Sequence, residues 1–237
     1  MEPFRGMSAT KLKVMSAGAV EGPVRSLAPA FTEASGVGTE ISFNTVGALR
    51  DRFVAGERPD VLLLSVPAIE SLERADRFVA DSRVLLGRAT CGVAVRDGML
   101  PPDVSTAEGF KRMLKFAGSI AANDPAHGGS SGIYLFGLLE RLGVLDAVRP
   151  KLVLCKTGRE CAFALLQGRA EIGITFTSEF IAVPGTRVVG PLPREYEYVN
   201  GYAGAIPKGA ALEPARAFLD FLTNAAGRVR FKEFGLE

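Results

Sequence analysis

The run Val61-Leu62-Leu63-Leu64-Ser65, introduced by Pro59-Asp60, is apolar on both of its alternating faces. A strand with that pattern must be covered on both sides, as in the middle of a parallel sheet flanked by helices. The residues around it agree. Leu12–Ala17 reads as a first strand, and Val20, Val24, Leu27 and Phe31 then recur at helical spacing. After the Gly36–Gly38 turn, Thr39–Phe43 alternates as a strand. Asn44–Gly47 leads into a helix with Leu49 and Phe53 inward, and Pro67 opens another carrying Ile69 and Leu72. This β-α-β-α-β-α rhythm predicts an α/β fold with an open, mainly parallel sheet.

The rhythm continues with less regularity. Val84–Leu86 and Cys91–Val95 are predicted as two strands, and Thr106–Phe116 as a helix. Ser119–Asn123 is a short apolar strand stopped by Asp124-Pro125. Gly128-Gly129-Ser130-Ser131-Gly132 then crowds small residues where a helix begins, and Gly143 ends that helix. Lys151–Cys155, Glu171–Phe176, Thr186–Val189 and Tyr198–Ile206 are extended. Gly158–Leu166, Glu213–Leu222 and Ala226–Phe234 are helical.

Composition narrows the function classes. The 237 residues suffice for one large domain or two small lobes. The net charge of +2 comes without a Lys/Arg stripe, which argues against a nucleic-acid partner. No apolar run is long enough to span a bilayer. Cys91, Cys155 and Cys161 form no C-x-x-C pair and are expected as buried free thiols. With His127 the only histidine, no metal site is expected. No cofactor is expected either: the G-G-S-S-G loop lacks the G-K-[ST] of a nucleotide loop, and no G-x-S-x-G elbow occurs. Met1–Lys13 is polar and lacks the apolar core of a secretory leader. That points to the cytoplasm for the chain as written, and to the periplasm if a leader has been removed.

Ligands of open α/β sheets bind beyond the carboxyl ends of strands, where helix N-termini collect. Four loops fit: Ser16–Ala19, Asn44–Gly47, His127–Gly132 and Thr175–Glu179. Together they suggest a cleft with donors on both walls. Free N–H groups and hydroxyls at such helix starts suit a small anion.

Five segments carry a family resemblance. They are K-V-M-S-A-G-A-V from Lys13, I-S-F-N-T-V-G-A-L from Ile41, R-P-D-V-L-L-L-S from Arg58, the stretch from Asn123 to Asp146, and C-A-F-A-L-L-Q-G-R-A-E-I-G-I-T-F-T-S-E from Cys161. In this order and spacing they resemble the molybdate-binding-protein branch of the type II periplasmic solute-binding proteins, over nearly the whole chain. The resemblance implies two α/β lobes closing on a small anion. Lobe one would be residues 11–88 plus 206–237, lobe two 89–205, with hinge crossings near 88–95 and 198–206. It implies an ABC permease as partner where the protein is exported. It places the ligand among Ser16, Ala17, Thr45, Val46, Gly128, Gly129, Ser130, Ser131, Thr177 and Ser178, with Arg159 or Lys156 as a cation. Ala19 stands where the family has a first-turn Ser, Phe176 where it has a Tyr, and Glu179 where it has an Asp. These losses of hydroxyl groups favour an organic carboxylate over molybdate.

Two further function classes remain beside a binding protein. One is an isomerase resembling those that move a double bond in small unsaturated polycarboxylates such as aconitate. That reaction needs a base that titrates near neutrality. His127, with an unperturbed pKa of about 6.5, and Glu179 are the candidates. Their structural alternatives are a solvated loop histidine and a helix-capping glutamate. The other class is a ligand sensor that acts through a protein partner.

Overall fold

The computed structural model describes residues 11–237. The elements in chain order are β1 (Leu12–Ala17), α1 (Glu21–Ser35), β2 (Thr39–Asn44), α2 (Val46–Val54), β3 (Val61–Ser65), α3 (Val66–Arg74), β4 (Val84–Arg96), α4 (Ala107–Phe116), β5 (Ile120–Asn123), α5 (Ser130–Arg141), α6 (Leu145–Val148), β6 (Leu152–Cys155), α7 (Gly158–Leu166), β7 (Ile172–Phe176), α8 (Thr177–Ile181), β8 (Thr186–Pro191), β9 (Val199–Ala205), α9 (Leu212–Thr223) and α10 (Ala225–Glu233). A short 3-10 turn, Gly18–Val20, joins β1 to α1.

The strands follow the order β2-β1-β3-β9-β4-β7-β5-β6, with β8 also paired to β4. In the first half β1 runs parallel to β2 and β3, and β9 lies antiparallel between β3 and β4. In the second half β5 runs parallel to β6 and β7, while β7 and β8 are antiparallel to β4. The result is a two-lobed α/β molecule. Its lobes share β4, whose residues 84–90 pair with β9 and whose residues 91–94 pair with β7.

β4 corrects the sequence reading, which divided it into Val84–Leu86 and Cys91–Val95. The strand is continuous over 13 residues. Gly87, at φ 151°, sits in a bulge that shifts the register between Leu85 and Gly87. A bulge bends a strand without ending it. Arg88 stays in the ladder and also exchanges two backbone hydrogen bonds with Glu237, N–H to O at 2.6 Å and O to N–H at 3.1 Å.

Burial follows the period of each element. All five residues of β3 are buried. Val61 and Leu63 face the core shared by both lobes, while Leu62 and Leu64 face a second cluster with Met15, Leu49, Phe53 and Ile69. A third cluster, including Ala121, Cys161, Ala162, Leu165 and Phe180, covers the other face of the second half. The three cysteines are buried and free. Among the described residues no helix is long and apolar enough to cross a membrane.

Candidate functional site

Each βα unit delivers a helix start to the same place. The residues immediately preceding α2, α5, α7 and α8 are Thr45, Gly129, Thr157 and Phe176, and Ala17 precedes the 3-10 turn. All five line one narrow cleft between the lobes. Thr45 Oγ1 caps α2 by accepting from Ala48 N–H at 3.3 Å, and Thr157 Oγ1 caps α7 by accepting from Glu160 N–H at 3.3 Å. A helix start carries free N–H donors and a partial positive charge worth about 0.3–1 kcal/mol to a nearby anion. Among the described residues no Lys, Arg or His lines this cleft. Its positive character comes from backbone dipoles.

The one carboxyl group in the lining is Glu179, which is buried. Its Oε2 accepts from Thr175 Oγ1 at 2.5 Å, and Thr175 Oγ1 lies 2.9 Å from Ser131 Oγ, so a hydroxyl chain links it to the α5 start. It also packs against the Gly158 backbone. The carboxylate is wedged between two helix starts. A Cβ on Gly18 would lie 2.8 Å from Oε1, and a side chain on Gly158 would run into the carboxylate. Burial pushes the Glu179 pKa up to about 7; the Thr175 hydroxyl opposes the rise, Glu21 adds to it, and the backbone donors oppose it. Tyr202, also in the lining, has its hydroxyl pKa raised by burial.

The two walls touch directly. Thr45 Oγ1 donates to the His127 carbonyl. Gly47 N–H donates to the Gly128 carbonyl at 3.1 Å, and a Cβ on Gly47 would lie only 2.8 Å from Gly128 Cα. Ser178 Oγ donates to the Ala19 carbonyl at 2.7 Å. Asn200 Nδ2 donates to Ser130 Oγ at 3.3 Å. Arg159 reaches Glu21 across the lobes at 3.5 Å.

Of the sequence-predicted residues, Ala17, Thr45, Val46, Gly129, Ser130, Ser131 and Glu179 stand together in the lining. The others stand outside it. The Ser16 hydroxyl is buried against the Ala17 carbonyl. Gly128 is spent on the contact with Gly47. Thr177 packs against Gly92, and Ser178 ties the lobes rather than facing the cleft. Arg159 turns away to Glu21 and lies over the Phe163 ring, 5.3 Å from its centroid. The His127 ring is partly exposed, 3.1 Å from Asp124 Oδ2, and is not part of the cleft lining. Only its carbonyl faces the other wall.

Sequence reasoning did not select Asn123, Thr157, Gly158 or Tyr202, all of which line the cleft, and it named Asn44 only as part of its loop. For Thr157 a signal existed. Thr157-Gly158-Arg159-Glu160 has the S/T-x-x-E form that marks a helix start. Tyr202 reaches the cleft from β9, a position that no local pattern announces.

This fold and this inter-lobe cleft define a two-lobed ligand-binding protein. The profile of the bacterial extracellular solute-binding proteins matches residues 12–237, and the chain belongs to that family. It is 32% identical over 234 residues to the aconitate isomerase of a Pseudomonas species, covering 96% of this chain and 88% of that protein. It is 25% identical over 228 residues to the molybdate-binding protein ModA of Escherichia coli, covering 95% and 88%. Among solved structures, the periplasmic molybdate-binding protein of Azotobacter vinelandii superposes with a TM-score of 0.78 at 20% identity, covering 96% of this chain and 99% of that one.

Proposed function

We propose that this protein binds a small organic carboxylate between its lobes, with a membrane permease of the ABC class as its partner. The observation that carries this reading is the convergence of the α2 and α5 N-termini on one cleft that, among the described residues, holds no basic side chain. Two such starts together contribute about 0.6–2 kcal/mol to an anion, a part of its binding free energy, without the charge neutralisation a strong cation would bring. The hydroxyls of Thr45, Ser130 and Ser131 supply direction.

A second reading is supported by Glu179. A carboxyl group that titrates near 7 and lines the cleft has the properties of a general base. It would take a proton from the carbon adjacent to the double bond of an unsaturated polycarboxylate. The electron pair would delocalise across the allylic system, the proton held on the carboxyl would exchange with solvent, and a proton would return at the far end. The 32%-identical relative that carries the name aconitate isomerase favours this chemistry.

One set of incubations separates the readings. At a hundred times its Kd, a carboxylate ligand adds about 2.7 kcal/mol to stability, seen as a rise of several degrees in Tm. Citrate, cis-aconitate and trans-aconitate are the probes. Absence of any shift across this panel contradicts carboxylate binding. With binding shown, the isomerase reading expects deuterium from D2O to enter cis-aconitate, and expects Glu179→Gln to abolish that exchange. Binding without exchange leaves the protein a binder only.

A further inference from the structure

We propose that Glu179 is the specificity-determining residue of the cleft: its side chain fills the anion seat at the start of α7, shutting out inorganic tetrahedral oxyanions. This rests on the reading of the cleft as an anion site and goes further, since it names which anions are refused and why.

The placement is specific. The Glu179 carboxylate lies against Gly158, the first residue of α7, a helix of nine residues, where a Cβ would run into it. It takes the Thr175 hydroxyl, and through it the Ser131 hydroxyl. It lies so close to Gly18 and Gly158 that neither position could carry a side chain with the carboxylate in place. An incoming oxyanion would need these same donors. It would also meet a carboxyl group at van der Waals distance. A tetrahedral dianion needs many donors around one centre, and the length of the Glu179 side chain fills the space it would take. An organic carboxylate is spread over several carbons and can use the Thr45, Gly129 and Ser130 side of the cleft while Glu179 keeps its seat. The likeness to proteins named for molybdate therefore extends to the fold and stops at this side chain.

The test is calorimetric titration at pH 8 with sodium molybdate, sodium sulfate and citrate. The wild type is expected to take citrate and to show no molybdate or sulfate binding tighter than about 1 mM. Glu179→Ala empties the seat and is expected to bind one of the two oxyanions at least about 100-fold more tightly. Glu179→Gln keeps the volume, so the oxyanions stay excluded. Glu179→Asp, which draws the carboxylate back by one methylene, serves if the alanine variant does not fold, and is expected to gain about tenfold. Molybdate binding by the wild type equal to that of Glu179→Ala overturns the proposal, as does an equal gain in Glu179→Gln. Citrate binding by the wild type with no oxyanion gain in any folded variant overturns the proposal alone. Failure of every anion to bind wild type and variants overturns the anion reading together with it.

Discussion

Replacing Glu179 by Gln is expected to stabilise the protein above neutral pH and to leave it nearly unchanged in acid. The folded carboxyl holds its proton up to about 7, whereas the unfolded group releases it near the ordinary 4.5. Between those values the folded state binds a proton that the unfolded state does not, so stability falls as pH rises. The full difference of about 2.5 pH units corresponds to about 3 kcal/mol, lost by pH 8 and present below pH 4.5. Gln mimics the protonated form and does not bear this loss. Swapping an acceptor for an amide beside the Gly158 N–H costs about 1 kcal/mol against that gain. The groups facing Glu179 do not obscure the result. Glu21 is held by Arg25 at 2.6 Å and Arg159 at 3.5 Å, and burial drives Cys91, Cys161 and Tyr202 upward, out of this window. Urea unfolding from pH 4.5 to 8.5 is the measurement. Wild type and variant should diverge as pH rises; parallel profiles would contradict the assignment of a buried, proton-holding carboxyl.

Gly47→Ala is expected to weaken carboxylate binding by at least about tenfold while leaving the fold intact. Gly47 is in the first turn of α2, where Ala improves helix propensity by about 0.8–1 kcal/mol. Its new methyl group, however, would meet the Gly128 backbone at 2.8 Å. Gly128 has φ 68° and cannot retreat by a simple side-chain rotation, because the clash is with main chain. The clash is relieved by separating the two walls, which breaks the Gly47–Gly128 hydrogen bond and the Thr45 contact with the His127 carbonyl. Solution scattering should show a larger radius of gyration, and calorimetry a weaker ligand. An unchanged affinity would mean that this glycine contact plays no part in closing the cleft.

The fold was legible because its signals are local and redundant. Val61–Ser65 declares a two-sided strand by its own composition, and Gly158–Leu166 declares a helix by spacing and by its Thr157 cap. β4 was misread because Gly87 and its small and polar neighbours imitate a break, while the hydrogen bonds that keep them in the ladder come from β9 and from Glu237. The site was legible in its βα loops for a related reason: strand ends and helix starts are visible in sequence. What sequence could not show is direction. The hydroxyl-rich pair Thr177-Ser178 looked equivalent to Ser130-Ser131, yet Ser178 ties down the Ala19 carbonyl, outside the cleft. Arg159 looked available to a ligand, and Glu21, 138 positions earlier, claims it. The contact, 3.5 Å long to a buried carboxylate that Arg25 also holds, orients the Arg159 side chain away from the cleft.

Hydrogen exchange with and without saturating citrate tests the anion cleft most directly. The structure calls for slowed exchange at the amides of Val46 and Gly129–Ser131, on both walls together. Full occupancy with those amides unchanged would contradict it.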